Sequence, residues 1–138
     1  MMTLVLDSSV TLAWVHNEEA TPAILSVLDR VIASGAWVPS LWRIEVANVL
    51  EMSVRRNRMD PELRNKALAN LSLLPILLDP ETDRQAWGAT SLLATCHRLT
   101  VYDACYLELA QRRGLPLATL DEQLRAAANA EKIELLGV

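Results

Sequence analysis

Four acidic residues stand where a purely structural chain has little use for them. Asp7 ends a short apolar run in Val5-Leu6-Asp7-Ser8-Ser9, and Asp121 ends another in Ala118-Thr119-Leu120-Asp121-Glu122. Glu45 lies inside Leu41-Trp-Arg-Ile-Glu-Val-Ala-Asn-Val-Leu50, and Asp103 opens the nearly apolar helical stretch Val101-Tyr-Asp-Ala-Cys-Tyr-Leu-Glu-Leu-Ala110. If they converge, their charges raise one another's pKa and disfavour the charged cluster, a conflict that a divalent cation resolves. All-oxygen ligands select the hard ions Mg²⁺ or Mn²⁺, and such ions hydrolyse phosphodiesters by activating water and clamping the phosphate. Taken singly, each acid has a plainer reading. Asp7, Asp103 and Asp121 could each cap a helix, and Glu45 could face solvent on an amphipathic helix. The reciprocal capping box is absent, since Tyr106 and Leu124 follow Asp103 and Asp121 at the third position, where that motif needs Glu or Gln. Asp60 before Pro61 is an ordinary cap.

The elements that must position these acids alternate strand with helix. A strand over 3–6 leads into a helix from Val10. Pro22 opens a second helix, which closes at Gly35, and Trp37-Val38 is a minimal second strand. A long helix from Leu41 to about Arg56 carries Glu45, with Ile44, Ala47, Val49 and Leu50 suggesting broad burial and Asn48 sharing the face of Glu45. A helix capped by Asp60 ends before Pro75, and Ile76 to Leu78 is the third strand. One helix from Asp83 to about Cys96 and another from Tyr102 or Asp103 to Gly114 follow. The chain finishes with a strand over Leu115 to Thr119, a helix from Leu124 to about Ala130, and a closing strand from Ile133 to Leu136. Short, wholly apolar strands alternating with helices predict a three-layer α/β/α sandwich around a mostly parallel sheet of four to five strands, one domain over residues 1–138. Ligands in such sheets bind beyond the carboxyl ends of the strands, where Asp7 and Asp121 fall.

Half the chain is hydrophobic, enough for one core without staples. No apolar run is long enough to span a membrane and no secretory leader pattern opens the chain, so a cytoplasmic protein is expected. Cys96 and Cys105 lack metal-ligand spacing and read as two buried free thiols; His16 and His97 are far apart in sequence. The net charge of −4 excludes binding nucleic acid by bulk positive charge. Any such contact must be local, and of thirteen basic residues only Lys66 and Lys132 are not arginine. The densest group is Arg55, Arg56 and Arg58, with Arg43 about three helical turns upstream. Arginine forks suit phosphate, but cations at a helix end also favour its dipole.

Together, Val5-Leu6-Asp7-Ser8-Ser9, the Glu45 segment, Tyr102-Asp103-Ala104 with Tyr106-Leu107-Glu108-Leu109-Ala110, and Leu117-Ala118-Thr119-Leu120-Asp121 resemble the ordered acidic motifs of PIN domains, especially VapC-type toxins. The resemblance spans nearly the whole chain. It implies a Mg²⁺- or Mn²⁺-dependent endoribonuclease silenced by a VapB-type antitoxin. Asp7 and Asp103 would then be the principal metal ligands, with Glu45 completing the site and Asp121 binding directly or through water. Ser9 and Thr119 match the family's hydroxyl positions and would support the carboxylates or touch the phosphate, as would Asn48; Ser9 could equally be a helix cap. Cleavage would leave a 5′-phosphate and a 3′-hydroxyl. A homodimer is also implied, each subunit offering an apolar groove to the antitoxin, and four tryptophans in a chain without Phe fit such interfaces. A noncatalytic module of the same fold and a housekeeping RNA-processing nuclease without antitoxin are the alternatives. A phosphoacceptor domain lacks its late-strand lysine, and the four glycines form no phosphate-cradling loop.

Overall fold

A computed structural model of the chain describes residues 2–138. Five strands, β1 (Val5–Leu6), β2 (Ala36–Val38), β3 (Ile76–Leu78), β4 (Leu117–Ala118) and β5 (Leu135–Leu136), form one sheet in the order β3-β2-β1-β4-β5. Every pairing is parallel, with Val5 opposite both Trp37 and Leu117. The helices are α1 (Ser8–Val15), α2 (Pro22–Ser34), α3 (Trp42–Arg55), α4 (Pro61–Ser72), α5 (Thr82–Ala86), α6 (Ala89–His97), α7 (Val101–Arg113) and α8 (Glu122–Ala130), with a 3₁₀ turn at Asn17–Glu19. The expected α/β architecture is present, with the strands shorter than expected at both ends of the chain. β4 keeps only Leu117–Ala118 of the stretch 115–119; Thr119 just beyond it still donates its N–H to Leu136 O at 3.3 Å and directs its hydroxyl to Asp7.

The core is the sheet and the helix faces laid on it. Leu4, Val5, Leu6, Val10, Val31, Val38, Leu50, Leu107, Leu109, Leu117 and Leu124 are fully or almost fully buried. α7 is the central helix, buried continuously from Ala104 to Ala110. In α3 the buried stripe is Trp42, Val46 and Leu50 at fourfold spacing. The broad burial expected there is therefore too generous: Ile44 is 73% exposed, and Ala47 and Val49 also face out. The single helix expected from Asp83 to Cys96 is two, α5 and α6, broken at Trp87-Gly88; Trp87 is 97% exposed. Cys105 is buried as expected, but Cys96 is exposed. Gly35, at φ 77°, closes α2 beside Pro75, whose carbonyl oxygen would lie 2.7 Å from any added Cβ. A side chain there would meet both strain and a clash.

A polar lock fastens the β3 edge. Asp79, buried just past β3, accepts from Arg112 Nη2 at 2.6 Å and from Arg113 Nη2 at 2.9 Å, and Arg112 also pairs with buried Glu108 at 2.7 Å. Arg113 stacks its guanidinium 3.6 Å over Trp37 of β2. No helix among the described residues is long and apolar enough to cross a membrane.

Candidate active site

The chain runs from β1 outward to β2 and β3 on one side, while β4 and β5 lie on the other, so the sheet's topological switch point falls between β1 and β4. Loops diverge there and open a crevice at the carboxyl ends of the strands. Asp7 follows β1 and Asp121 follows β4, placing one acid on each side of that crevice.

Asp7 is 4% exposed. Although it occupies the N-cap position of α1, its side chain caps nothing. Two hydroxyls hold it instead: Ser9 Oγ donates to Oδ2 at 2.6 Å and Thr119 Oγ1 donates to the same oxygen at 2.7 Å. Ser9 Oγ in turn accepts from the backbone N–H of Leu120 at 2.9 Å, and Thr119 Oγ1 accepts from that of Asp121 at 3.1 Å. The two hydroxyls thus stitch the β1–α1 and β4–α8 loops together and fix the rotamer of Asp7. The plain capping role for Ser9 is not what the geometry gives it.

α3 is brought to α1 by Trp42, whose Nε1 donates to Thr11 Oγ1 at 3.1 Å. That contact sets Glu45, three residues on, beside the Asp7 loop. Glu45 Oε1 accepts from the hydroxyl of Tyr106, which is fully buried. Asp103 sits in the first turn of α7, one helical turn before Tyr106, so that both project toward Glu45. Asp103 is not the cap of α7. Thr100 is, accepting from the Asp103 N–H at 3.1 Å, and its hydroxyl also reaches the Asp103 carboxylate, opposing the rise in its pKa. Asp121 does cap its helix, accepting from Leu124 N at 2.8 Å through Oδ1.

Charge shows how closely the acids share one environment. Burial, then the carboxylate of Asp121, raises Asp7 above the ordinary aspartate value, against the lowering effect of Ser9 and Thr119. Glu45 is raised by burial and then by Asp7 and Asp103, with Tyr106 opposing. Asp103 is raised by burial and then by Asp7 and Asp121. No basic side chain enters any of these three. Asp79 is the internal contrast: burial raises it, but the hydrogen bonds and charges of Arg112 and Arg113 outweigh that and lower it overall. When this fold buries a structural aspartate it surrounds it with arginine; at Asp7 it gathers further carboxylates.

That donor set, oxygen throughout and without a protein cation, fits Mg²⁺ or Mn²⁺. As the side chains stand among the described residues, no three of them close on a common point. The reason lies in their other bonds, for Tyr106 draws on Glu45 and Asp121 turns one oxygen to α8. An ion that keeps several waters spans such a set without needing every carboxylate directly.

Of the residues singled out by sequence, Asp7, Glu45, Asp103, Asp121, Ser9 and Thr119 border the crevice, the acids near enough for neighbouring carboxylates to raise the pKa of Asp7, Glu45 and Asp103. Asn48 does not bond to any of them; it is exposed one turn further along α3, lining a groove. Tyr106 is the residue sequence reasoning passed over as a site contributor. Its spacing of three from Asp103 was the available signal.

The PIN-domain family model matches residues 4–130. Among curated proteins, the chain is 31% identical to Ribonuclease VapC1 of Mycobacterium tuberculosis, with 89% of each chain covered, and 31% identical to Ribonuclease VapC3 of Pyrobaculum aerophilum, covering 89% of this chain and 92% of that one. Among solved structures, PAE2754 from Pyrobaculum aerophilum superposes with a TM-score of 0.68 at 26% identity, covering 91% of this chain and 84% of its own. FitAcB from Neisseria gonorrhoeae matches at TM-score 0.65 and 16% identity, with 96% and 95% covered. VapBC2 from Rickettsia felis, bound to a DNA fragment from their promoter, matches at TM-score 0.62 and 11% identity, with 97% of each chain covered. These last two show a shared fold. The acidic crevice thus lies inside the matched segment, and the chain belongs to the PIN-domain family, among its VapC-type members.

Proposed function

We propose that the chain is an endoribonuclease that hydrolyses RNA phosphodiester bonds with Mg²⁺ or Mn²⁺ and is restrained by a VapB-type antitoxin. The observation that carries this reading is Asp7, a buried carboxylate without a cation, facing other carboxylates. The curated relatives named as VapC ribonucleases support the substrate class, and the VapBC complex of the same fold supports the partner.

Asp7 and Asp103 would hold the ion, Glu45 would complete the set, and Asp121 would reach it directly or through water. When bound, the ion supplies an activated water and charge neutralisation on the phosphate. The chain's own residues do the positioning. Ser9 and Thr119 lock Asp7 Oδ2 and so fix the carboxylate that would hold the ion. Tyr106 fixes Glu45. The burial of Asp7 keeps the site partly dry, which strengthens its hold on a cation. In this reading water and not the ribose 2′-hydroxyl is the nucleophile, so the products would be a 5′-phosphate and a 3′-hydroxyl.

For the antitoxin, an apolar groove of about 420 Å³ runs between α1, α2 and α4, lined by Trp14, Leu28, Ile32, Ala67, Leu71 and Leu74. Its apolar lining suits the apolar face of a helix.

The test is cleavage of a labelled single-stranded RNA. Wild type cuts in Mg²⁺ or Mn²⁺, giving 5′-phosphate ends, and loses activity in chelator; Asp7→Asn loses it in both, by roughly a hundredfold or more. Undiminished cleavage in chelator contradicts the proposal.

A further inference from the structure

Beyond the acids the structure holds a second polar feature. α1 and α3 both begin at the crevice and run away from it side by side, and between them lies a groove of about 610 Å³. On α3 its wall is Asn48, Met52 and Ser53, with Arg56 and Arg58 just past the helix end. Asn48, Met52 and Arg56 lie three, seven and eleven residues after Glu45, so one helical face carries both the site acid and this wall. On α1, Leu12 and His16 continue the face of Ser8. The distance along α3 from Glu45 to Arg56 is roughly 16 Å at about 1.5 Å per residue.

Of the exposed arginines without an ion pair among the described residues, which also include Arg30, Arg43 and Arg98, Arg56 and Arg58 are the two that line this groove. Arg55 pairs with Glu51, as does Arg64, while Arg112 and Arg113 are spent on Asp79. Arg56 and Arg58 are exposed and make no ion pair among the described residues. Arg43, which the sequence grouped with them, faces a separate pocket with Leu68 and Leu71. The opposite wall ends in Glu18 and Glu19. Those carboxylates repel phosphate, which confines a polyanion to the α3 side, where the guanidinium forks and the Asn48 and Ser53 donors lie.

We infer that the α1–α3 groove is the track of the RNA strand leading away from the cut, with its phosphates held by Arg56 and Arg58 on the α3 wall. The proposed occupant is a single RNA strand. This rests on the ribonuclease reading of the crevice and adds the direction in which the substrate leaves it. It also accounts for how a chain of net charge −4 engages a polyanion, through two local arginines in place of a basic surface.

The experiment compares wild type, Arg56→Ala/Arg58→Ala and the remote control Arg84→Ala in two assays on one labelled single-stranded RNA. Cleavage in Mn²⁺ is followed against salt, and equilibrium binding in chelator is followed by fluorescence anisotropy. The double variant is expected to raise KM roughly tenfold with kcat within about twofold, and to flatten the log–log salt dependence of binding by about 1.4, two single-strand phosphates at about 0.7 each. Arg84→Ala should match wild type, and circular dichroism should show all three folded alike. Wild-type KM and salt slope in the double variant overturn the groove while leaving the nuclease intact. Binding that depends on Arg56 and Arg58 without any cleavage by wild type supports the groove and overturns the nuclease. Neither cleavage nor binding by wild type overturns both.

Discussion

Two buried aspartates in this chain show how the same side chain is made either inert or reactive. Asp79 accepts from two arginines and its negative charge is cancelled within the protein. Asp7 accepts from hydroxyls and the Ser8 backbone without any cation, and lies near three other acids. A metal-free site of that kind costs the fold stability, and the cost depends on pH. Asp103 has its folded-state pKa raised, by burial first and then by Asp7 and Asp121. A raised acid binds its proton more tightly in the folded state, so its favourable contribution is present below the ordinary value of 3.8 and is lost as pH rises through the raised value. Asp103→Asn escapes that loss. In chelator near neutral pH it should melt roughly 2–5 °C above wild type, and the advantage should shrink as pH falls toward the ordinary carboxylate range. Thermal melts across pH check this; an equal or lower melting temperature at neutral pH means that the acids do not press on one another.

At the scale of elements, the site depends on where helices begin. Thr100 caps α7, sets Asp103 in its first turn and reaches the Asp103 carboxylate with its hydroxyl. Thr100→Ala should cost about 1 kcal/mol, a fall of roughly 2–4 °C in melting temperature, and should weaken metal binding as well; Thr100→Ser should restore both. A variant that melts lower but binds metal as wild type does would confine Thr100 to the helix.

The strand–turn–helix run at Asp7 was legible because an apolar run stops abruptly at an acid, and β3 was legible between Pro75 and Asp79. What escaped were features that depend on partners distant in sequence. The break between α5 and α6 leaves Trp87 outside, where an uninterrupted apolar pattern suggested one buried face. The outward turn of Ile44 follows from Trp42 locking α3 onto Thr11, a contact across 31 positions. Tyr106 stands in a nearly apolar stretch and is fully buried; its hydroxyl acquires a task only once α3 is placed. The four acids were found because each breaks a local pattern, whereas Asn48 was grouped with them on helical spacing alone and lies a turn beyond.

The whole molecule is a parallel sheet with its reactive groups at the switch point and its grooves on the helices around it. One groove is apolar, between α1, α2 and α4, and one is polar, between α1 and α3. Trp87 and Leu92, 97% and 72% exposed, form neither. Large apolar side chains left in water mark contact surfaces, in keeping with the homodimer expected from the family resemblance. Sedimentation at micromolar concentration should give twice the 15.3 kDa of the chain, and Trp87→Arg should shift it toward one; a single-chain mass for the unaltered protein contradicts the dimer.

The central claim is that Asp7, Glu45, Asp103 and Asp121 form one divalent-cation site. Calorimetric titration of Mn²⁺ into the metal-free protein tests it without reference to any substrate. The account predicts saturable binding by wild type, weakened tenfold or more by Asp7→Asn and by Asp103→Asn, with Asp79→Asn, if it remains folded, binding as wild type does. Absence of saturable binding to the folded wild type, or binding indifferent to Asp7 and Asp103, would contradict it.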